Sequence, residues 1–147
     1  MNEPIISARN VCFQYDDSDH PAVDGVSLEI ARGEFVAVLG RNGSGKSTFA
    51  KLLNALLIPT SGVLTVDGKR AVDEDSGFDV RRCCGMVFQN PDNQIVATIV
   101  EEDCAFGLEN LGVEPAEIRR RVDETLREVG MADYASASPS RLSGGQK

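Results

Sequence analysis

Residues 40–47 read Gly-Arg-Asn-Gly-Ser-Gly-Lys-Ser, with Thr48 directly after. Glycines at 40, 43 and 45 let the backbone curl so that successive amides face one point. A helix N-terminus behind such a curl adds its dipole at the same point. The concavity suits an anion carrying many oxygens, which is to say a phosphate chain. Lys46 has the reach for the β- and γ-phosphates of a nucleoside triphosphate, and the Ser47 hydroxyl suits the shell of a Mg²⁺ ion. Gly40, Arg41, Asn42, Gly43, Ser44, Gly45, Lys46, Ser47 and Thr48 are therefore the candidate ATP-binding residues. By average residue frequencies, the full GxxxxGK[ST] pattern arises by chance in about half a percent of chains this long. A merely structural glycine turn is the weaker reading.

The motif needs a strand before it and a helix after it. "EFVAVLG" (34–40) is a short apolar run with β-branched residues and predicts a buried parallel strand. "KSTFAKLLNALL" places Phe49, Leu52, Leu53 and Leu56 at helical spacing, ended by Pro59 and Gly62. "VSLEI" (26–30) and "VLTVDG" (63–68) alternate, so the N-terminal part predicts a small antiparallel sheet. "GMVFQ" (85–89) reads as a second buried strand running into the polar turn "NPDNQ". Thr98 and Glu101 have capping-box spacing for a helix to about Leu111. Pro115 opens another helix, with Ile118, Val122, Leu126 and Val129 on one apolar stripe. Glu117–Arg121 and Asp123–Arg127 are i,i+4 pairs on its wet face.

A second glycine motif, Leu142-Ser143-Gly144-Gly145-Gln146, looks like a serine N-cap opening a helix. Its exposed amides and dipole again suit an anion. One fold does not need two such sites for one phosphate chain, whereas a site serving the nucleotide of a neighbouring subunit explains the second.

GRNGSGKS and LSGGQ, in this order, resemble the Walker A and signature motifs of ABC ATPases. Between them, "VFQNPDNQ" resembles the Q-loop strand with its Gln89, and Phe13-x-Tyr15 resembles the A-loop whose aromatic ring stacks on adenine. "GMVFQNPDNQIVATIVEEDCAFGLENLGV" is similar to the matching stretch of the energy-coupling factor (ECF) branch, the cobalt and vitamin importers. The resemblance implies an α/β P-loop NTPase: a RecA-like core with an N-terminal antiparallel β subdomain and a helical subdomain. About 1–88 would hold the β subdomain and phosphate-loop core, about 89–142 the Q-loop and helical subdomain, and 142–147 the start of the signature helix.

For function, the resemblance implies ATP hydrolysis coupled to uptake of a vitamin or transition-metal ion. Lys46 and Gln89 would be catalytic, with Ser47 and Gln89 toward Mg²⁺. Leu142 to Gln146 would face the ATP of a second ABC ATPase subunit, head-to-tail in a homo- or heterodimer. A transmembrane ECF coupling protein and a substrate-binding membrane protein complete the expected partners. Asp92 and Glu102 are the candidate docking acids for a basic coupling helix; the plainer reading of the Glu101-Glu102-Asp103 cluster is helix-dipole compensation. A non-transport ABC protein acting in DNA repair, chromosome structure or translation is the alternative. The family pattern continues past the signature with Walker B and its catalytic glutamate, so this stretch is expected to be an N-terminal part, truncated before the Walker B strand and inactive alone.

Composition fits this reading. The 147 residues carry 15 basic and 23 acidic side chains for a net charge of −8, which argues against a nucleic-acid partner. His20 is the single histidine, which excludes a histidine-cluster metal site. Cys12, Cys83, Cys84 and Cys104 have no zinc-ligand spacing and are expected to be reduced and mostly buried. The N-terminus lacks the basic start and apolar stretch of a signal peptide, which predicts a cytosolic chain, and the resemblance implies the cytoplasmic face of the membrane, peripherally bound.

Overall fold

The computed structural model describes residues 3–147, apart from the side chains of Glu74 and Pro91. They form two compact units, Met1–Met86 and Val87–Lys147.

In the first unit, strands β1 (Ile6–Phe13), β2 (Val23–Ile30) and β3 (Ser61–Val66) form an antiparallel sheet in the order β2-β1-β3. Ile6 pairs with Ile30 on one side and Val66 on the other. Both ladders shift register between Ala8 and Cys12, where Asn10 adopts φ 48° and its N–H turns to the Ser27 hydroxyl. Gly62 is needed there: at φ 84°, a Cβ would stand 2.2 Å from the Asn10 carbonyl oxygen. Helix α1 (Lys46–Leu53) lays Phe49 and Leu52 on Ala8, Val11, Phe13, Val23 and Leu64, the core that holds the helix behind its loop.

Helix α1 is shorter than its apolar spacing predicts. It stops at Leu53, Ala55 takes the left-handed position (φ 53°), and Leu56 is left exposed. Leu56 N–H closes back on Lys51 C=O at 2.9 Å and Ala55 N–H on Leu52 C=O at 3.0 Å. Helix α2 (Glu74–Arg81), absent from the sequence reading, is started by a reciprocal box in which Asp73 and Ser76 exchange hydrogen bonds.

Residues 34–40 and 85–89 are not strands. Phe35 is 94% exposed and Val87 91%, against the burial expected of both. A parallel strand needs a hydrogen-bonding neighbour, and no strand of the described residues lies beside either run.

The second unit is built on helices α3 (Val100–Asn110) and α4 (Pro115–Glu128). Val100, Ile118, Val122 and Leu126 form its core, joined by Leu108, Val113, Met131 and Leu142. Val129, expected on the stripe, is exposed instead. Gly130 (φ 70°) reverses the chain, Met131 N–H bonds to Leu126 C=O at 2.7 Å, and Met131 takes the apolar place.

The Thr98–Glu101 box does not form either. Helix α3 starts after Ile99 with no side-chain cap, because Val100 and Glu101 N–H donate to the carbonyls of Ala137 and Ala135. Asp103 meanwhile accepts from the N–H groups of Val96 and Ala97 at 2.7 and 2.9 Å. Glu117 pairs with Arg121 as expected, but Arg120 ties it also to Glu124. The Arg120 and Arg121 guanidinium groups hold the Glu117 carboxyl down at about 2. All four cysteines are free, but Cys83 and Cys104 are exposed and Cys12 and Cys84 only partly covered, so they are not core residues. No helix among the described residues is long and apolar enough to cross a membrane.

Candidate nucleotide site and signature turn

The first hydrogen bond of α1 runs from Phe49 N–H to Gly45 C=O at 2.8 Å, and no side chain caps the helix. The amides of Lys46, Ser47 and Thr48 precede that bond and have no carbonyl one turn back to pair with. The loop before them is a tight turn, Ser44 N–H to Arg41 C=O at 3.2 Å, with Gly43 and Gly45 at φ 80° and 83°. The Lys46 ammonium sits at its centre, donating to the carbonyls of Gly40 (2.8 Å) and Arg41 (2.7 Å) and, at 3.4 Å, to the Ser44 hydroxyl. A cation, uncapped amides and a hydroxyl at Ser47 form a donor set that fits a phosphate chain with Mg²⁺.

The loop is pressed against its surroundings. A Cβ on Gly45 would lie 2.0 Å from the Ala22 carbonyl oxygen. Ala22 is itself fixed to the end of β1, its N–H donating to Phe13 C=O at 2.8 Å. Tyr15 stands beside this junction. Its ring meets Phe13 edge-to-face, with centroids 4.9 Å apart, and its hydroxyl is 3.2 Å from that of Thr48.

The other candidates belong to the second unit. Gln89 is exposed, and the turn after it is closed by Gln94, whose amide donates to the carbonyls of Phe88 and Asn90. Asp92 carries an ion pair with Lys147 at 2.6 Å, so the turn following Gln89 is joined to the residue following the signature motif. Nothing in the sequence marked Lys147: a single lysine beside a motif has no pattern. Within the motif, Lys147 N–H reaches Ser143 C=O at 3.1 Å and the Gln146 side chain accepts from Ser143 N–H at 2.9 Å. These residues form a single hydrogen-bonded turn with half of a capping box. Gly144 and Gly145 have no atom within 4 Å of where a Cβ would stand. Glu102 lines a groove between α3 and α4 with Glu101, Glu109, Ile118 and Val122, and Asp92 is not among the groove's lining residues.

A phosphate-type loop before a helix packed on an antiparallel sheet, together with a serine–glycine turn on a helical unit, defines a nucleotide-binding cassette. The ABC transporter family matches residues 23–147, and the chain belongs to that family. Its relatives also bear out the branch resemblance. An energy-coupling factor transporter ATP-binding protein EcfA1 of Clostridioides difficile is 55% identical over 97% of this chain and 52% of its own length. The EcfA1 of Oceanobacillus iheyensis is 50% identical over 100% and 52%. Among solved structures, cbiO1 of Clostridium perfringens, described as part of the ABC transporter complex cbiONQ, superposes with TM-score 0.86 at 35% identity, covering 98% of this chain and 57% of that one. MJ0796, a bacterial ABC transporter cassette solved as a dimer, gives 0.79 at 32% identity, covering 96% and 64%. The chain spans about half the length of the curated relatives it matches.

Proposed function

We propose that the chain is the ATP-binding part of an ECF-type importer ATPase, which couples ATP binding and hydrolysis to uptake of a vitamin or transition-metal ion through a membrane partner. The observation carrying this reading is the uncapped start of α1, with the Lys46 ammonium centred on the loop before it. Lys46 and the first-turn amides bind the β- and γ-phosphates; by the family resemblance Ser47 and Gln89 would be the residues to hold a Mg²⁺, which would supply charge neutralisation. Tyr15 stacks on adenine. Leu142 to Gln146 close over the ATP of a second ATPase subunit, packed head-to-tail, and Gln89 relays the state of that site to the transmembrane coupling protein. The subunit works peripherally, on the cytoplasmic face of the membrane.

In the full-length protein, Lys46→Ala is expected to weaken ATP binding by about tenfold to a hundredfold, the worth of a charge-assisted bond. Equal ATP affinity and turnover in wild type and variant, by calorimetry and phosphate release, would overturn the assignment. We further propose that Asp92 and Glu102 meet a basic helix of the coupling protein, which then competes with Lys147 for Asp92. Reversing both charges should lose the ATPase from membrane pull-downs while ATP binding persists, and an unchanged pull-down moves the docking surface elsewhere.

A further inference from the structure

The Thr48 hydroxyl has an unusual partner. A threonine in the first turns of a helix ordinarily turns its hydroxyl to solvent or to a carbonyl one turn back. Thr48 is 8% exposed, and its hydroxyl meets the phenol of Tyr15, which lies beyond the end of β1. The root of Tyr15 is fixed as well. Its carbonyl accepts from Ser18 N–H at 3.0 Å, and the Gln14 side chain donates to Ser18 C=O at 2.6 Å. With Phe13 against the ring at an interplanar angle of 87° and Thr48 at its tip, the ring is held at both ends while 41% of the residue stays open to solvent. An aromatic side chain held in this way and open on one side is a platform for a flat π-system.

Thr48 follows Ser47 directly and lies two residues from Lys46 on the same helical turn. The hydrogen bond therefore joins the ring to the very turn that presents the phosphate donors. A second connection runs in parallel, through Ala22, which touches Gly45 and is bonded to Phe13. We propose that Thr48 is a positioning residue: its hydroxyl fixes the Tyr15 ring at a set distance from the phosphate loop, so that base and phosphates of one nucleotide are gripped together. This rests on the reading of Tyr15 as the base platform. A flexible ring would lose part of its stacking free energy to immobilisation at each binding event; here that ordering is done by the fold. The bond is thus a device for preferring a nucleotide over a bare polyphosphate.

The experiment compares the affinity of the full-length protein for ATP and for inorganic tripolyphosphate in four single variants and one double variant. Tyr15→Ala is expected to weaken ATP by about tenfold or more, the worth of one stacked base, and to leave tripolyphosphate unchanged. Tyr15→Phe removes the hydrogen bond and should weaken ATP by about three- to tenfold while sparing tripolyphosphate, and Thr48→Val should weaken ATP by about three- to tenfold more than it weakens tripolyphosphate. Combining them should add less than about twofold, because both break one bond. Thr48→Ser keeps the hydroxyl and should restore ATP affinity. If Tyr15→Ala weakens ATP but Tyr15→Phe and Thr48→Val do not, the positioning role is overturned while the platform stands. If Thr48→Val weakens both ligands equally, Thr48 acts on the phosphates or on the helix, and the proposal fails. If Tyr15→Ala has no effect on ATP, the platform reading fails and the proposal with it.

Discussion

The chain has two glycine-bearing turns, the first of which opens helix α1, and its own packing treats them oppositely. In the turn at 40–48, glycine is demanded from inside: Gly45 has φ 83° and the Ala22 carbonyl where a Cβ would go. Lys46 fills the loop's centre and contacts its own carbonyls. In the turn at 142–147, Gly144 and Gly145 have neither a left-handed φ nor a neighbouring atom, and the fold would accept alanine at both. Glycine that the fold does not need is informative when a ligand needs it. A bare backbone facing solvent allows close approach by something outside the chain, as a signature serving another subunit's nucleotide requires. The same residue type is demanded by the fold in one turn and left open to solvent in the other.

That contrast can be broken by substitution. The largest effect is expected from Gly45→Ala, which adds left-handed strain and a clash with backbone; about 2–4 kcal/mol of stability should be lost, visible in urea unfolding of the full-length protein. A change under about 1 kcal/mol would mean that the Ala22 contact yields easily. The paired change Gly144→Ala with Gly145→Ala should leave stability within about 0.5 kcal/mol, the usual range for open surface sites, yet sharply reduce turnover. Unfolding at lower denaturant would show that the second turn is structural too.

The smallest effect concerns the helix scaffold behind the second turn. The Glu117 carboxyl is held down at about 2 by Arg120 and Arg121, below its unfolded value, so its contribution is present above the ordinary carboxylate range and lost as pH falls toward 2. Glu117→Gln should flatten that part of the acid-unfolding curve, and an identical curve in the variant would remove Glu117 from the account. Because the carboxylate is on the surface, added salt should narrow the difference.

The phosphate loop was legible because its chemistry is contiguous: glycines, lysine and hydroxyl lie within one turn of chain. The outer strands β2 and β3 were legible from alternation, as was α4 from its stripe and Pro115, but the central strand β1 was not read. What failed was everything settled by a distant partner. An apolar run such as 34–40 records a need for burial and says nothing about whether a neighbour is beside it. Thr98 and Glu101 had the spacing of a box, but carbonyls from residues 135 and 137 satisfied the amides first. The pairing of Thr48 with Tyr15 spans 33 residues and leaves no trace in either local pattern. Helix α2 was missed for another reason: Asp73 and Ser76 do spell a start signal, but Gly77 in mid-helix and Asp79 after it dilute the helical pattern.

The exposed run at 34–40 has a bearing on residues 1–147 taken alone in concentrated solution. Phe35 to Leu39 is an uncharged stretch rich in β-formers, free of proline, with Phe35 and Leu39 almost wholly exposed. Its backbone donors and acceptors are not engaged in any ladder among the described residues. Such a stretch is a template for edge-to-edge association, and the partner always at hand is the same stretch of another copy. Prepared alone, residues 1–147 should therefore self-associate increasingly with concentration, which light scattering reports, and Ala37→Lys should suppress it.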